Sequence, residues 1–234
     1  YNSQIFYAKA IIDELVKMKI KVVVGGPANY SKIIDNVKVL GSSVYFADYL
    51  VELGGIRKNG KQVVDYSDFV KEDYFTSDLV YPLRTAISCP YQRCTFCTHH
   101  GNKNYELLDL AGINEAIKFN EIKKVFIIDD DIPVVRLRQI SKMFKELEVD
   151  WWCQLRPVKK LIDEIPSLAE SGLKSVAWGV ESGSQRILDL MQKGTIVSEV
   201  EEVLKVAQQN RIKNMVYVMF GLPGETKEEL METV

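Results

Sequence analysis

The chain has 234 residues, 47% of them hydrophobic, enough to bury a substantial core in one large domain or one and a half. A net charge of −2 gives no basic field for a general nucleic-acid groove, and no apolar run approaches the roughly 20 residues of a membrane helix. Of the four cysteines three fall within nine residues, which suits a reducing cytoplasm better than a disulfide framework.

Residues 8–18 carry apolar side chains at 8, 11, 12, 15 and 18, the stripe of an amphipathic helix. Residues 20–24, I-K-V-V-V, then run into Gly25, Gly26 and Pro27. A β-branched run that stops on paired glycines predicts a buried parallel strand whose end approaches another group closely, or simply a tight strand-to-loop turn. Residues 57–78 are polar and contain Asn59-Gly60, which suits a type I′ hairpin turn, so they read as a surface connector.

Residues 84–100 are R-T-A-I-S-C-P-Y-Q-R-C-T-F-C-T-H-H. Cys89, Cys94 and Cys97 form a tripod of thiols straight after a short apolar run, a pattern that suits a metal centre. A four-iron cluster held this way keeps one iron open to another ligand. A tetrahedral zinc site built from the same cysteines with His99 or His100 is the competing reading.

From residue 83 onward strands and helices alternate, which predicts βα units around a parallel sheet. The expected strands are 83–88, 124–129, 151–155, 175–179 and 215–221, with helices at 135–147, 161–171 and 198–209. Gly172 and Gly194 stand where left-handed helix caps are wanted. Ser198 with Glu201, and Thr226 with Glu229, have capping-box spacing.

Polar residues gather at the strand ends, where βα folds bind ligands. Asp129, Asp130 and Asp131 follow a wholly apolar strand; at least one should serve as a solvated cap. In residues 151–157, W-W-C-Q-L-R-P, alternation puts Trp152, Gln154 and Arg156 on one face and Trp151, Cys153 and Leu155 on the other. A wet barrel interior is expected on the first face, and Cys153 is expected in the core. Glu181 precedes Ser182-Gly183-Ser184, predicted to open a helix whose free amides suit an anion.

In order and at these spacings, the motifs resemble those of the radical S-adenosylmethionine (radical SAM) enzymes. The cysteine loop keeps the family's aromatic, Phe96, before the last Cys, with four residues in the first gap where three are usual. That wider gap is familiar in the cobalamin-binding branch. Residues 176–193 resemble the family's G-x-E-S-G-S segment, and residues 216–226, V-Y-V-M-F-G-L-P-G-E-T, its fifth strand and turn. The V-V-G-G-P at Gly25 and Gly26 is similar to the end of a flavodoxin-like cobalamin-binding domain; the partner Asp-x-His-x-x-Gly motif is not in the sequence.

The resemblance implies an α/β architecture: a partial (β/α) TIM-like barrel at 83–234 lacking its last strand, a linker at 59–82, and the end of a cobalamin-binding-like domain at 1–58. The sequence is then expected to be a piece of a longer protein. It implies a [4Fe–4S] cluster on Cys89, Cys94 and Cys97 whose fourth iron chelates S-adenosylmethionine (SAM), and reductive cleavage of SAM to a 5′-deoxyadenosyl radical. Asp129 or Asp130 would meet the methionine ammonium and Gln154 the ribose. Glu181 and Ser182 would line the SAM site, Lys193 would reach the methionine carboxylate, and Met219 would flank the adenine. Lys193 is also explained as an ordinary lysine at a helix C-terminus. The expected outcome is cobalamin-dependent C-methylation, or, without cobalamin, cyclisation, rearrangement or a methylthiotransferase-like reaction. The expected partners are a reductant such as flavodoxin or ferredoxin and a small-molecule or peptide substrate.

Overall fold

The computed structural model describes residues 2–25, 37–40, 63–97 and 104–234. Gly26, the Asn59-Gly60 turn, His99 and His100 lie outside the described residues. The chain divides into two compact units, Tyr1–Lys61 and Gln62–Val234.

In the first unit, helix α1 (Asn2–Lys17) is followed by strands β1 (Val23–Gly25) and β2 (Lys38–Leu40), which pair in parallel. Of the expected apolar stripe Ile12 is buried, whereas Ile11 and Met18 are mostly exposed. The predicted strand is shorter than expected and ends on Gly25.

In the second unit residues 63–80 fold against the first strand of a sheet. Tyr66 meets Tyr81 edge-on at 5.0 Å and donates its hydroxyl to the Pro82 carbonyl, while its backbone N–H reaches Asn120 Oδ1 at 2.8 Å. The sheet runs β3 (Tyr81–Leu83), β6 (Lys124–Ile127), β7 (Asp150–Leu155), β8 (Leu173–Glu181), β9 (Lys213–Val218), every neighbouring pair parallel. Spatial order equals chain order, the progression of a βα barrel wall. Helices α2 (Leu110–Phe119), α3 (Val134–Leu147), α4 (Ile165–Glu170), α5 (Gln185–Leu190) and α6 (Val197–Gln209) fill the crossovers, and α7 (Lys227–Thr233) follows β9.

Strand β7 shows the predicted alternation. Trp151, Cys153 and Leu155 are buried and Trp152, Gln154 and Arg156 only partly so. The buried set joins the core under α3, where Phe144 meets Trp151 edge-on at 5.5 Å and the indole N–H bonds the Ser171 carbonyl at 3.2 Å. Burying each such aromatic contributes about 1.5–3 kcal/mol. Burial drives the Cys153 thiol far up, so it stays a neutral core group.

Three local expectations change. The strand predicted at 83–88 is two elements: β3, and then β4 (Ala86–Ile87), which turns out of the sheet to pair antiparallel with β5 (Glu106–Leu107). The cause is Asp129, whose carboxylate captures the Thr85 N–H at 2.7 Å and the Ala86 N–H at 3.2 Å. The helix expected at 161–171 starts only at Ile165, with Pro166 in its first turn, after a 3₁₀ turn at Lys159–Leu161; Pro166 lacks the N–H that an earlier start would need. The capping box at Ser198 is absent because α6 begins at Val197 with Ile196 as its N-cap, which puts Ser198 inside the helix, and the Val197 N–H is taken by Gln185 Oε1 at 3.0 Å. The Thr226–Glu229 box is present in both halves, and Gly172 and Gly194 do adopt left-handed backbone.

Candidate functional site

The cysteine loop lies over the carboxyl end of the sheet. Ser88 turns the chain out of β4 with φ +67°, and Cys89, Cys94 and Cys97 follow as half-buried free thiols. The loop is tied to the end of α5, whose last carbonyls have no partner within the helix. Thr95 N–H donates to the Met191 carbonyl at 2.9 Å, Thr95 Oγ1 to Leu190, and the Tyr91 hydroxyl to Gln192 at 2.9 Å. Gly194 is required beside this contact: its φ is +66°, and a Cβ there would lie 2.1 Å from Tyr91 Oη.

The Cys94 thiol feels the other two and two cations. Burial raises the Cys94 thiol, Lys193 and Arg156 pull it down, and Cys89 and Cys97 raise it again. Burial also raises Cys89, while the Gln92 and Tyr91 amides and the Arg156 charge oppose it. Among the described residues no three His, Cys, Asp or Glu side chains converge tightly enough to hold a single metal ion. Three thiols with Lys193 and Arg156 near Cys94 fit an anionic iron–sulfur cluster in their donor chemistry.

Around the loop the strand ends pair up. Asp131, at the end of β6, accepts from the Arg156 N–H at 3.2 Å and from Arg156 Nε at 3.1 Å. Arg156 stacks on the Tyr91 ring at 3.6 Å and donates to the Lys193 carbonyl at 3.1 Å, so β6, β7, α5 and the cysteine loop share one guanidinium. On β8 the side chain of Glu181 meets Lys193 Nζ at 2.8 Å, both side chains nearly buried, and Lys193 stands 5.7 Å from the Phe96 ring centre. Glu181 is itself left-handed, φ +69°, where the β8–β9 register slips. Its carbonyl accepts from the Met219 N–H at 2.8 Å, which brings the partly exposed Met219 to the same end of the sheet.

Other expected residues are engaged differently. Asp129 is 1% exposed and holds Thr85 and Ala86, with burial pushing its carboxyl up; it shapes the loop and is not presented to a ligand ammonium. Asp130 is partly exposed beside it. Gln154 donates to the Asp129 carbonyl at 3.1 Å, linking the β6 and β7 ends. Ser182 is buried, its hydroxyl shared with Thr233 and the Ser184 N–H, and the Gly183 N–H donates to Thr233 Oγ1 at 2.9 Å. Of the amides expected to be free here, that of Gly183 is taken by α7 and that of Ser184 by Ser182. A Cβ on Gly183 would lie 2.1 Å from the Glu232 carbonyl, so the fit there is tight. Gly25 ends β1 in the other unit. The sequence reading placed Arg156 on the wet face but gave no role to Asp131 or to Tyr91; strand-end parity was the available signal.

The family model for the radical SAM superfamily matches residues 87–234. The chain belongs to that superfamily. Its relatives include the anaerobic magnesium-protoporphyrin IX monomethyl ester cyclase of Rubrivivax gelatinosus, 27% identical over 160 residues, which cover 63% of this chain and 28% of the relative. Among solved structures, the apo form of the cobalamin-dependent S-adenosylmethionine radical enzyme OxsB aligns over 99% of this chain and 41% of its own, with a TM-score of 0.69 at 17% identity. The radical S-adenosylmethionine methyltransferase TsrM of Kitasatospora setae, solved with cobalamin and a [4Fe–4S] cluster, aligns over 64% of this chain and 30% of its own, with a TM-score of 0.54 at 21% identity. The chain thus spans well under half the length of these three proteins. Among the described residues no helix is long and apolar enough to cross a membrane.

Proposed function

We propose that this chain is part of a radical SAM enzyme that holds a [4Fe–4S] cluster on Cys89, Cys94 and Cys97 and cleaves SAM reductively, in the service of cobalamin-dependent methylation at carbon. The observation that carries the reading is the tripod of thiols set over the sheet's carboxyl end beside two ion pairs, Glu181–Lys193 and Asp131–Arg156. Cluster and SAM together supply a one-electron cleavage of the sulfonium that yields a 5′-deoxyadenosyl radical.

The chain's own share is placement. Glu181 and Lys193 form a cation and anion 2.8 Å apart, complementary to an amino-acid zwitterion, so the ammonium and carboxylate of a bound methionine can each exchange into the pair. Arg156 fixes Tyr91 and thereby the first gap of the cysteine loop. Gln154 and Met219, with the Phe96 ring, provide polar and apolar walls for the nucleoside; Asp130, partly exposed after β6, is the carboxylate assigned to the ammonium.

Cobalamin is supported by the descriptions of OxsB and TsrM and by the V-V-G-G-P at the end of β1. A second reading, a cyclisation or rearrangement without cobalamin, is favoured by the cyclase relative. A flavodoxin- or ferredoxin-type reductant and a small-molecule or peptide substrate complete the proposal, in a cytoplasm that keeps the thiols reduced.

Anaerobic reconstitution tests the core of it. The protein should bind about four irons per chain, and Cys89→Ala, Cys94→Ala or Cys97→Ala should abolish this. A full-length protein should then form 5′-deoxyadenosine from SAM under a strong reductant. Zinc in place of iron and sulfide, or no 5′-deoxyadenosine, overturns the reading; cobalamin uptake separates methylation from the second one.

A further inference from the structure

We infer that Arg156 and Tyr91 are positioning residues for the methionine end of SAM: together they hold the turn that carries Lys193 against the cysteine loop. This rests on the function proposed above, in which Lys193 and Glu181 receive the amino-acid zwitterion.

Lys193 follows the short helix α5 and lies outside any regular element. It stands between two left-handed residues, Gln192 at φ +51° and Gly194 at φ +66°, so helical geometry does not fix its backbone. Its N–H still reaches back to the Leu188 carbonyl at 2.9 Å. The two carbonyls of the turn are taken from outside. The Tyr91 hydroxyl donates to the Gln192 carbonyl at 2.9 Å, and Arg156 Nη1 donates to the Lys193 carbonyl at 3.1 Å.

These two donors act as one unit. The guanidinium lies 3.6 Å from the Tyr91 ring centre, a cation stacked on an aromatic face. Asp131 fixes it further by accepting from the Arg156 N–H and Nε. With side-chain exposures of 14% and 11%, Arg156 and Asp131 are poorly screened by water. Tyr91 belongs to the first gap of the cysteine loop, between Cys89 and Cys94. The loop that presents the thiols and the turn that presents the lysine are thereby tied together.

At its other end Lys193 Nζ meets Glu181 at 2.8 Å and lies over Gly179, where a Cβ would come within 2.8 Å of it. A long flexible side chain meets a carboxylate at a fixed point only when both its ends are held. The seat on β8 holds the ammonium, and the Arg156–Tyr91 grip holds the backbone.

Arg156→Lys keeps a positive charge beside the cysteine loop and removes the planar fork that grips ring and carbonyl together. In reconstituted full-length protein it should load about four irons per chain, as the wild type does. Its SAM dissociation constant, measured by anaerobic calorimetry, should rise roughly tenfold, the worth of one lost charge-assisted hydrogen bond. Affinity for 5′-methylthioadenosine, which has the nucleoside and no amino-acid end, should stay unchanged. Tyr91→Phe, which removes only the hydroxyl bond, should move SAM affinity the same way and by less. Unchanged SAM affinity in loaded Arg156→Lys overturns the inference. So does an equal loss for both ligands, which would assign Arg156 to the nucleoside pocket or to the fold. Should Arg156→Lys fail to load, Tyr91→Phe decides by the same two ligands; failure of both to load makes the pair part of the cluster site and also overturns it. A wild-type protein that takes up no iron, or binds no SAM, overturns it together with the proposed function.

Discussion

Lys193 and Glu181 are nearly dry, with side-chain exposures of 7% and 10%, so water screens their attraction poorly and each depends on the other. Replacing Lys193 by methionine strands a carboxylate at 8% residue exposure against Gly179, whose missing Cβ makes room for the ammonium. Lys193→Met should therefore cost about 3–5 kcal/mol in urea unfolding, and adding Glu181→Gln should recover a large part of it. A double variant no more stable than Lys193→Met would show that the pair is not coupled. The sequence marked both residues, but as separate ligands to a cofactor, with Lys193 otherwise an ordinary lysine at a helix C-terminus. Their pairing depends on Glu181 turning left-handed at the register slip, and nothing in a linear string announces that. Asp129 is the opposite case. Three aspartates in a row could be seen, but which one the hairpin backbone would consume depended on β4 leaving the sheet.

At the scale of elements, the short helix α5 is held from both ends. The cysteine loop occupies its last carbonyls, and α7 closes its start through Thr233 and through Arg186, which grips Glu229 with Nε and Nη2 and reaches the Gly224 carbonyl at 2.6 Å. Arg186, together with the Thr226 N–H, holds the Glu229 carboxyl down at about 2. A depressed carboxylate stabilises the fold above its ordinary value of 4.5 and loses that contribution as pH falls through about 2. The stability gap between wild type and Glu229→Gln, measured by denaturant unfolding, should thus be constant above 4.5 and narrow steadily as the solution is acidified below it. A gap independent of pH would mean that the carboxylate's charge does not dock α7. The capping box behind this was legible because its residues are three apart in sequence. Thr233 closing the amide nest was not legible, since it comes from fifty residues away.

At the scale of the molecule, the parallel sheet was legible from hydrophobic runs ending in polar residues, and β7 even from its alternation, because one face is buried and the other only partly so, which leaves a period-two trace. The exposure of β9 left no such trace. All six residues of Lys213–Val218 are exposed, including Met215, Val216, Tyr217 and Val218, although the sequence reads as a core strand. Its partner on one side is β8; among the described residues no strand pairs with the other side. An exposed apolar edge with unpaired backbone groups is a template for association. We therefore expect this 234-residue chain to self-associate with rising concentration, read by sedimentation or light scattering. Val216→Lys should suppress that association while changing unfolding free energy by no more than about 0.5 kcal/mol, as for other exposed positions. Association undiminished by Val216→Lys would place the contact elsewhere, and a large loss of stability would mean that the β9 face is packed in solution.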